Sequence, residues 1–225
     1  MPDDELAFAT IAYQSQLLRR GDLSPVELTQ LYLDRIDAYD EHLNAYLTVT
    51  AERAIASARA AEAAIQGGDW RGPLHGIPVA LKDLFDVVGL PTTAGSIILG
   101  EQIASRDATA ARRLFEAGAI LLGKTQMVEF AFGGAGINHH HGTPWNPWDL
   151  QEHRLPGGSS SGSGVAVSSG LTSAALGTDT GGSVRIPASF DGLVGLKPTF
   201  GRVSNAGVVP LDSTLDSVGP MTRSV

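Results

Sequence analysis

Between Pro156 and Pro198 the chain sets two serine–glycine turns on either side of a short apolar segment. Gly157-Gly158-Ser159-Ser160-Ser161-Gly162-Ser163 comes first, and Asp179-Thr180-Gly181-Gly182-Ser183 follows. Glycine lets a backbone approach a ligand closely and adopt angles that other residues avoid. Serine supplies hydrogen bonds and, once activated, a nucleophile. Two such turns around an apolar segment point to an active site built largely from hydroxyls and backbone N–H groups.

The flanking sequence says what carries these turns. Residues 1–70 read as mainly helical. Ala7 to Arg20 is a helix candidate ending at Gly21. Ser24-Pro25-Val26-Glu27 is a helix start, with Ser24 as cap, Pro25 at the first helical position and Glu27 completing a capping box. Leu28, Leu31, Ile36 and Tyr39 continue its apolar face. Ala51 to Gln66 is an alanine-rich helix closed by Gly67-Gly68. From Pro73 the texture changes. Ile77–Leu81, Ala119–Leu122 and Ser173–Gly177 read as buried strands, Asp107–Ala117 and Gly164–Gly170 as helices, and Pro144–Pro156 as a surface loop. Strands alternating with helices predict an α/β architecture, with residues 71–225 as the α/β portion that carries both serine–glycine turns.

Composition narrows the chemistry. A length of 225 residues suits one domain, and 43% hydrophobic residues suffice for a core. A net charge of -8 argues against direct nucleic-acid binding and against anionic membranes. With no cysteine, thiolate catalysis and Cys-ligated zinc or iron–sulfur sites are excluded. The acidic start MPDDELAF lacks the regions of a signal peptide, and no apolar run approaches the ~18 residues of a membrane span. A cytoplasmic location is the expectation. The run His139-His140-His141 is not read as a metal site, because adjacent residues of a strand point to opposite faces. No cofactor is expected.

A serine nucleophile needs a base, a proton path and donors for the developing oxyanion. Ser183 follows Thr180-Gly181-Gly182 and precedes a predicted helix start, and consecutive N–H groups in such a turn can converge on one oxygen. The base is open between a loop histidine and Lys82. Lys82 ends the Ile77–Leu81 strand candidate, where burial would depress the ordinary lysine pKa of ~10.4.

Four blocks together resemble the amidase signature family: Gly76–Asp83, Gly157–Ser163, Gly177–Ala188 and Gly195-Leu196-Lys197-Pro198-Thr199. Weaker likeness runs through Gly123-Lys124-Thr125, Asn146-Pro147-Trp148-Asp149 and Gly219–Arg223. The resemblance implies a mixed β-sheet between helical layers and a Ser–Ser–Lys triad: Ser183 as nucleophile, Ser159 as relay after a cis Gly158–Ser159 bond, and Lys82 as base. It implies an oxyanion hole from the backbone of Thr180, Gly181, Gly182 and Ser183. Ser160, Asp179 and Arg185 match positions that orient the turns. The implied reaction is hydrolysis of a small carboxamide through an acyl–Ser183 intermediate, without metal.

Members of that family are substantially longer, so the resemblance implies that residues 1–225 are the N-terminal part of a single domain cut short at Val225. A sheet lacking strands exposes edges and apolar faces. The expectation is a chain that is marginal or aggregation-prone alone and completed by a homodimer partner or a further segment. Two rival functions stand beside the amidohydrolase: the A subunit of a glutamyl-tRNA(Gln)/aspartyl-tRNA(Asn) amidotransferase, and an inactive remnant.

Overall fold

The computed structural model describes residues 3–100 and 102–225. A six-stranded mixed sheet organises them. Its strands are β1 (Tyr46–Val49), β2 (Pro78–Lys82), β3 (Ile120–Thr125), β4 (Ala174–Asp179), β5 (Val194–Gly195) and β6 (Ser217–Thr222), in the order β1-β3-β2-β4-β6-β5. The three central strands β3, β2 and β4 run parallel, and β1, β6 and β5 join antiparallel. Parallel strands need long crossovers and are buried on both faces. Every residue of β2 and β3 is buried accordingly.

The helices are α1 (Asp3–Ala7), α2 (Ile11–Arg20), α3 (Pro25–Leu43), α4 (Ala51–Gln66), α5 (Thr109–Glu116), α6 (Ser161–Ser168) and α7 (Arg185–Phe190). The capping box at Ser24 is formed: Ser24 Oγ accepts from Val26 and Glu27 N–H, and Glu27 accepts from Ser24 N–H. Side-chain alternation along β3 divides the core. Ile120 and Leu122 pack with Leu28, Tyr32, Ala54, Ala58 and Val165 of α3, α4 and α6. Leu121 packs with Ala110 and Ala111 of α5, and with Leu84, Phe85 and Val218.

Several expectations shift. The first helix candidate is two helices, because Thr10 adopts an extended conformation and its hydroxyl accepts from Tyr13 N–H to cap α2. Tyr39 is half exposed, and Tyr32 and Leu33 take the inward positions on α3. Helix α6 starts three residues before Gly164. Its composition is poor for an isolated helix, but it is buried almost throughout. A Cβ on Gly162 would lie 2.2 Å from the Ala45 carbonyl oxygen, so glycine there permits the close packing that sustains it. Sequence patterning does not predict the strands β1, β5 and β6. They are short or carry Gly and Pro, and antiparallel pairing within the sheet rather than local preference makes them strands. Among the described residues, no helix is long and apolar enough to cross a membrane.

Candidate active site

Lys82 ends β2 and is fully buried. Its Nζ donates to Ser159 Oγ at 2.7 Å and to Thr178 Oγ1 at 3.0 Å. Burial without a carboxylate in contact pushes its pKa down to about 7, with the more distant charges of Asp216 and Asp179 opposing the shift. Ser159 follows a cis Gly158–Ser159 peptide. Its carbonyl accepts from Val128 N–H at 3.1 Å.

Ser183 sits between the turn after β4 and the start of α7 and is 9% exposed. The two serine–glycine turns do meet: Ser160 N–H donates to the Ser183 carbonyl at 3.3 Å. Ser160 Oγ also donates to the Thr178 carbonyl at 3.3 Å, and accepts from Thr178 N–H at 3.4 Å. Ser160 therefore ties the first turn to β4, which carries the second.

Asp179 organises the Thr180–Ser183 turn. Its carboxylate is fully buried and accepts from Gly182 N–H (2.8 Å), Val184 N–H (3.1 Å) and Arg185 N–H (3.3 Å), and from the Arg185 guanidinium at 3.0 and 2.9 Å. Burial alone would raise the pKa of this carboxyl, but the Arg185 and backbone donors overcome it and hold the pKa below its ordinary value. This corrects one expectation. Gly182 N–H points at Asp179, so the four-residue donor set is reduced. The N–H groups of Thr180, Gly181 and Ser183 have no protein acceptor among the described residues. Gly181 is exposed, with open space where a Cβ would project. Gly182 has φ +130°, outside the range of most side-chain-bearing residues.

The two motif blocks Lys82-Asp83 and Gly123-Lys124-Thr125 are joined structurally. Lys124 Nζ pairs with Asp83 Oδ1 at 2.8 Å, both fully buried, and donates to the Pro91 carbonyl at 3.1 Å. Asp83 therefore does not serve Lys82. It holds the neighbouring strand and, through Thr93, the following loop. Four of the six histidines have other contacts. His75 accepts from Arg71 N–H, His140 pairs with Glu129 at 3.1 Å, and His153 stacks on Trp145, which also packs against His42. Of the candidate bases, Lys82 is the one in hydrogen-bond contact with a serine of the first turn. Thr178 is the contact that sequence reading missed: a threonine in a strand is ordinary, and only its position beside Asp179 hinted at more.

A family model described as Amidase matches residues 27–225. The A subunit of the glutamyl-tRNA(Gln) amidotransferase of Moorella thermoacetica is 50% identical over 221 residues, covering 98% of this chain and 45% of that protein. Among solved structures, native peptide amidase from Stenotrophomonas maltophilia superposes with a TM-score of 0.92 at 39% identity, over 99% of this chain and 46% of that one. A fatty acid amide hydrolase superposes with a TM-score of 0.93 at 27% identity, over 100% of this chain and 40% of that one. The chain thus spans about half the length of the curated relatives it matches. With the sheet order, the two joined turns and the Lys82–Ser159 contact on the same residues as the matched region, the chain belongs to the amidase family.

Proposed function

We propose that the protein cleaves the C–N bond of a carboxamide through an acyl–Ser183 intermediate, with Lys82 as base and Ser159 as relay. The observation that carries this is the buried Lys82 Nζ at 2.7 Å from Ser159 Oγ, with its pKa lowered to about 7. A lysine poised near neutrality is a competent base at physiological pH. In the forward step the neutral Lys82 amine takes the Ser159 proton as Ser159 Oγ takes that of Ser183. Ser183 Oγ then bonds to the amide carbon, and the oxygen that gains the charge is met by N–H groups of Thr180, Gly181 and Ser183. The relay runs in reverse to protonate the departing nitrogen. Water then takes the place of Ser183's hydroxyl in the same sequence and frees a carboxylate. Ser160, Asp179 and Arg185 hold the turns and touch no reacting atom.

The test is labelling of the folded full-length protein by a fluorophosphonate, together with hydrolysis of simple amides. Labelling that disappears in Ser183→Ala supports the reading. A folded chain that resists the probe supports the inactive remnant instead.

A second reading is favoured by the 50% identity to the A subunit of an amidotransferase. In it the same chemistry releases ammonia from glutamine for a partner protein. Glutaminase activity that rises with partner subunits and charged tRNA would select it. Hydrolysis of simple amides by the protein alone would select the free-standing amidase.

A further inference from the structure

We propose that Asp216 is a positioning residue for the Thr180–Ser183 turn, holding the Thr180 hydroxyl and with it the peptides that present oxyanion donors. This rests on the hydrolase reading above for its functional meaning. Asp216 is buried and immediately precedes β6. One carboxylate oxygen accepts from Thr180 Oγ1. The other accepts from Leu211 N–H at 2.9 Å and Asp212 N–H at 3.1 Å. The Asp216 carbonyl accepts from Asn205 Nδ2 at 2.7 Å.

The segment that grips Asp216 is itself anchored to the frame of the sheet. Asp86 N–H donates to the Gly207 carbonyl (2.8 Å), Thr109 N–H to the Ala206 carbonyl (2.9 Å) and Val209 N–H to the Leu84 carbonyl (2.9 Å). Asp216 therefore connects Thr180 to backbone beyond β2 and at the start of α5. Asp179 holds the far end of the turn, at Gly182 and Val184. The exposed Gly181 lies between these two carboxylates, so its conformation is fixed from both sides. Two glycines in sequence have the greatest freedom to lose, and an oxyanion hole works only if its donors are aimed before the charge develops.

Asp216 also differs from the other carboxylates near Lys82. Asp179 is paired with Arg185 and Asp83 with Lys124. Asp216 has no cationic partner among the described residues, and its charge favours the protonated form of Lys82. Removing the charge and removing the hydroxyl it holds should thus have separable effects.

The experiment compares Thr180→Val, Thr180→Ser, Asp216→Asn and the double variant T180V/D216N in the full-length protein. It follows amide hydrogen exchange at Gly181 and Ser183, and the fluorophosphonate acylation rate across pH. We expect Thr180→Val to speed exchange at both amides and slow acylation about tenfold, the scale of one lost hydrogen bond to a charged group. Thr180→Ser should restore both. Thr180→Val should cost less in the Asp216→Asn background, where the bond left to lose is to a neutral amide instead of a carboxylate. Asp216→Asn alone should move the acylation midpoint to lower pH, which Thr180→Val should not.

Wild-type exchange rates in Thr180→Val, or an equal cost of that change in both backgrounds, would overturn the proposal. If Asp216→Asn does not fold, the contrast between Thr180→Val and Thr180→Ser decides. If the wild-type protein is not labelled at all, the hydrolase reading fails and hydrogen exchange alone decides the role of Asp216.

Discussion

Lys82 Nζ and Ser159 Oγ lie 2.7 Å apart although 77 residues separate them in the chain. Lys82 closes a central parallel strand, and Ser159 precedes the helix α6 that leads into the adjacent strand β4. The contact is fully buried, and that burial lowers the pKa of the lysine to about 7. The role proposed for Lys82 and its cost to stability have the same origin.

That origin sets the pH dependence of activity. In the proposed mechanism the base is competent when Lys82 is neutral, so acylation should rise with pH with a midpoint near its pKa of about 7. Below the midpoint the rate should fall about tenfold per pH unit. A pH profile of fluorophosphonate labelling checks this. A midpoint near that of an ordinary lysine would show that burial does not depress the pKa of Lys82 in this way.

The same shift predicts a stabilising substitution. Lys82 has a lower pKa folded than unfolded, so between about 7 and the ordinary lysine value the unfolded chain binds more protons. Stability then rises with pH across that window, and the penalty is complete below it. Lys82→Met should abolish labelling while raising stability at pH 6 by an amount on the order of a few kcal/mol, with a smaller gain at pH 10. Chemical denaturation at the two pH values measures it.

Thr178 holds Lys82 in place. Thr178→Val removes the 3.0 Å contact to Nζ but leaves the strand backbone intact. We expect a loss of about tenfold in acylation rate with little change in KM, because the group lost orients the base. Thr178→Ser should retain most of the rate. Equal activity of all three proteins would remove Thr178 from the site.

Asp191 offers a test away from the chemistry. It is buried, neither carboxylate oxygen has a hydrogen-bond partner among the described residues, and burial raises its pKa to about 8. The folded state therefore holds its proton when the unfolded state has released it, so stability falls as pH rises from the ordinary carboxylate range to about 8. Asp191→Asn should match wild type near pH 4 and become progressively more stable than wild type up to pH 8. A difference that does not vary with pH would show that Asp191 does not titrate in this way.

The sequence by itself determined the local parts. The Ser24 capping box, the alanine-rich α4 and the strand–helix alternation follow from short-range preference and periodicity. Ser159, Ser160, Asp179, Ser183 and Arg185 stand within two short blocks whose order made them legible, and Lys82 was legible as a strand end. Only the tertiary structure decided which of them meet, and how. Pairing of β4 with β6 sets Asp216 beside Thr180, and packing sets Thr178 on Lys82. It also turned Gly182 N–H, expected among the oxyanion donors, to Asp179, and paired Asp83 with Lys124. The physical reason is that a hydrogen bond or a pKa depends on distance and burial. Those are fixed by strand register and helix packing between segments far apart in the chain, and the serine–glycine turns carry no local record of that register.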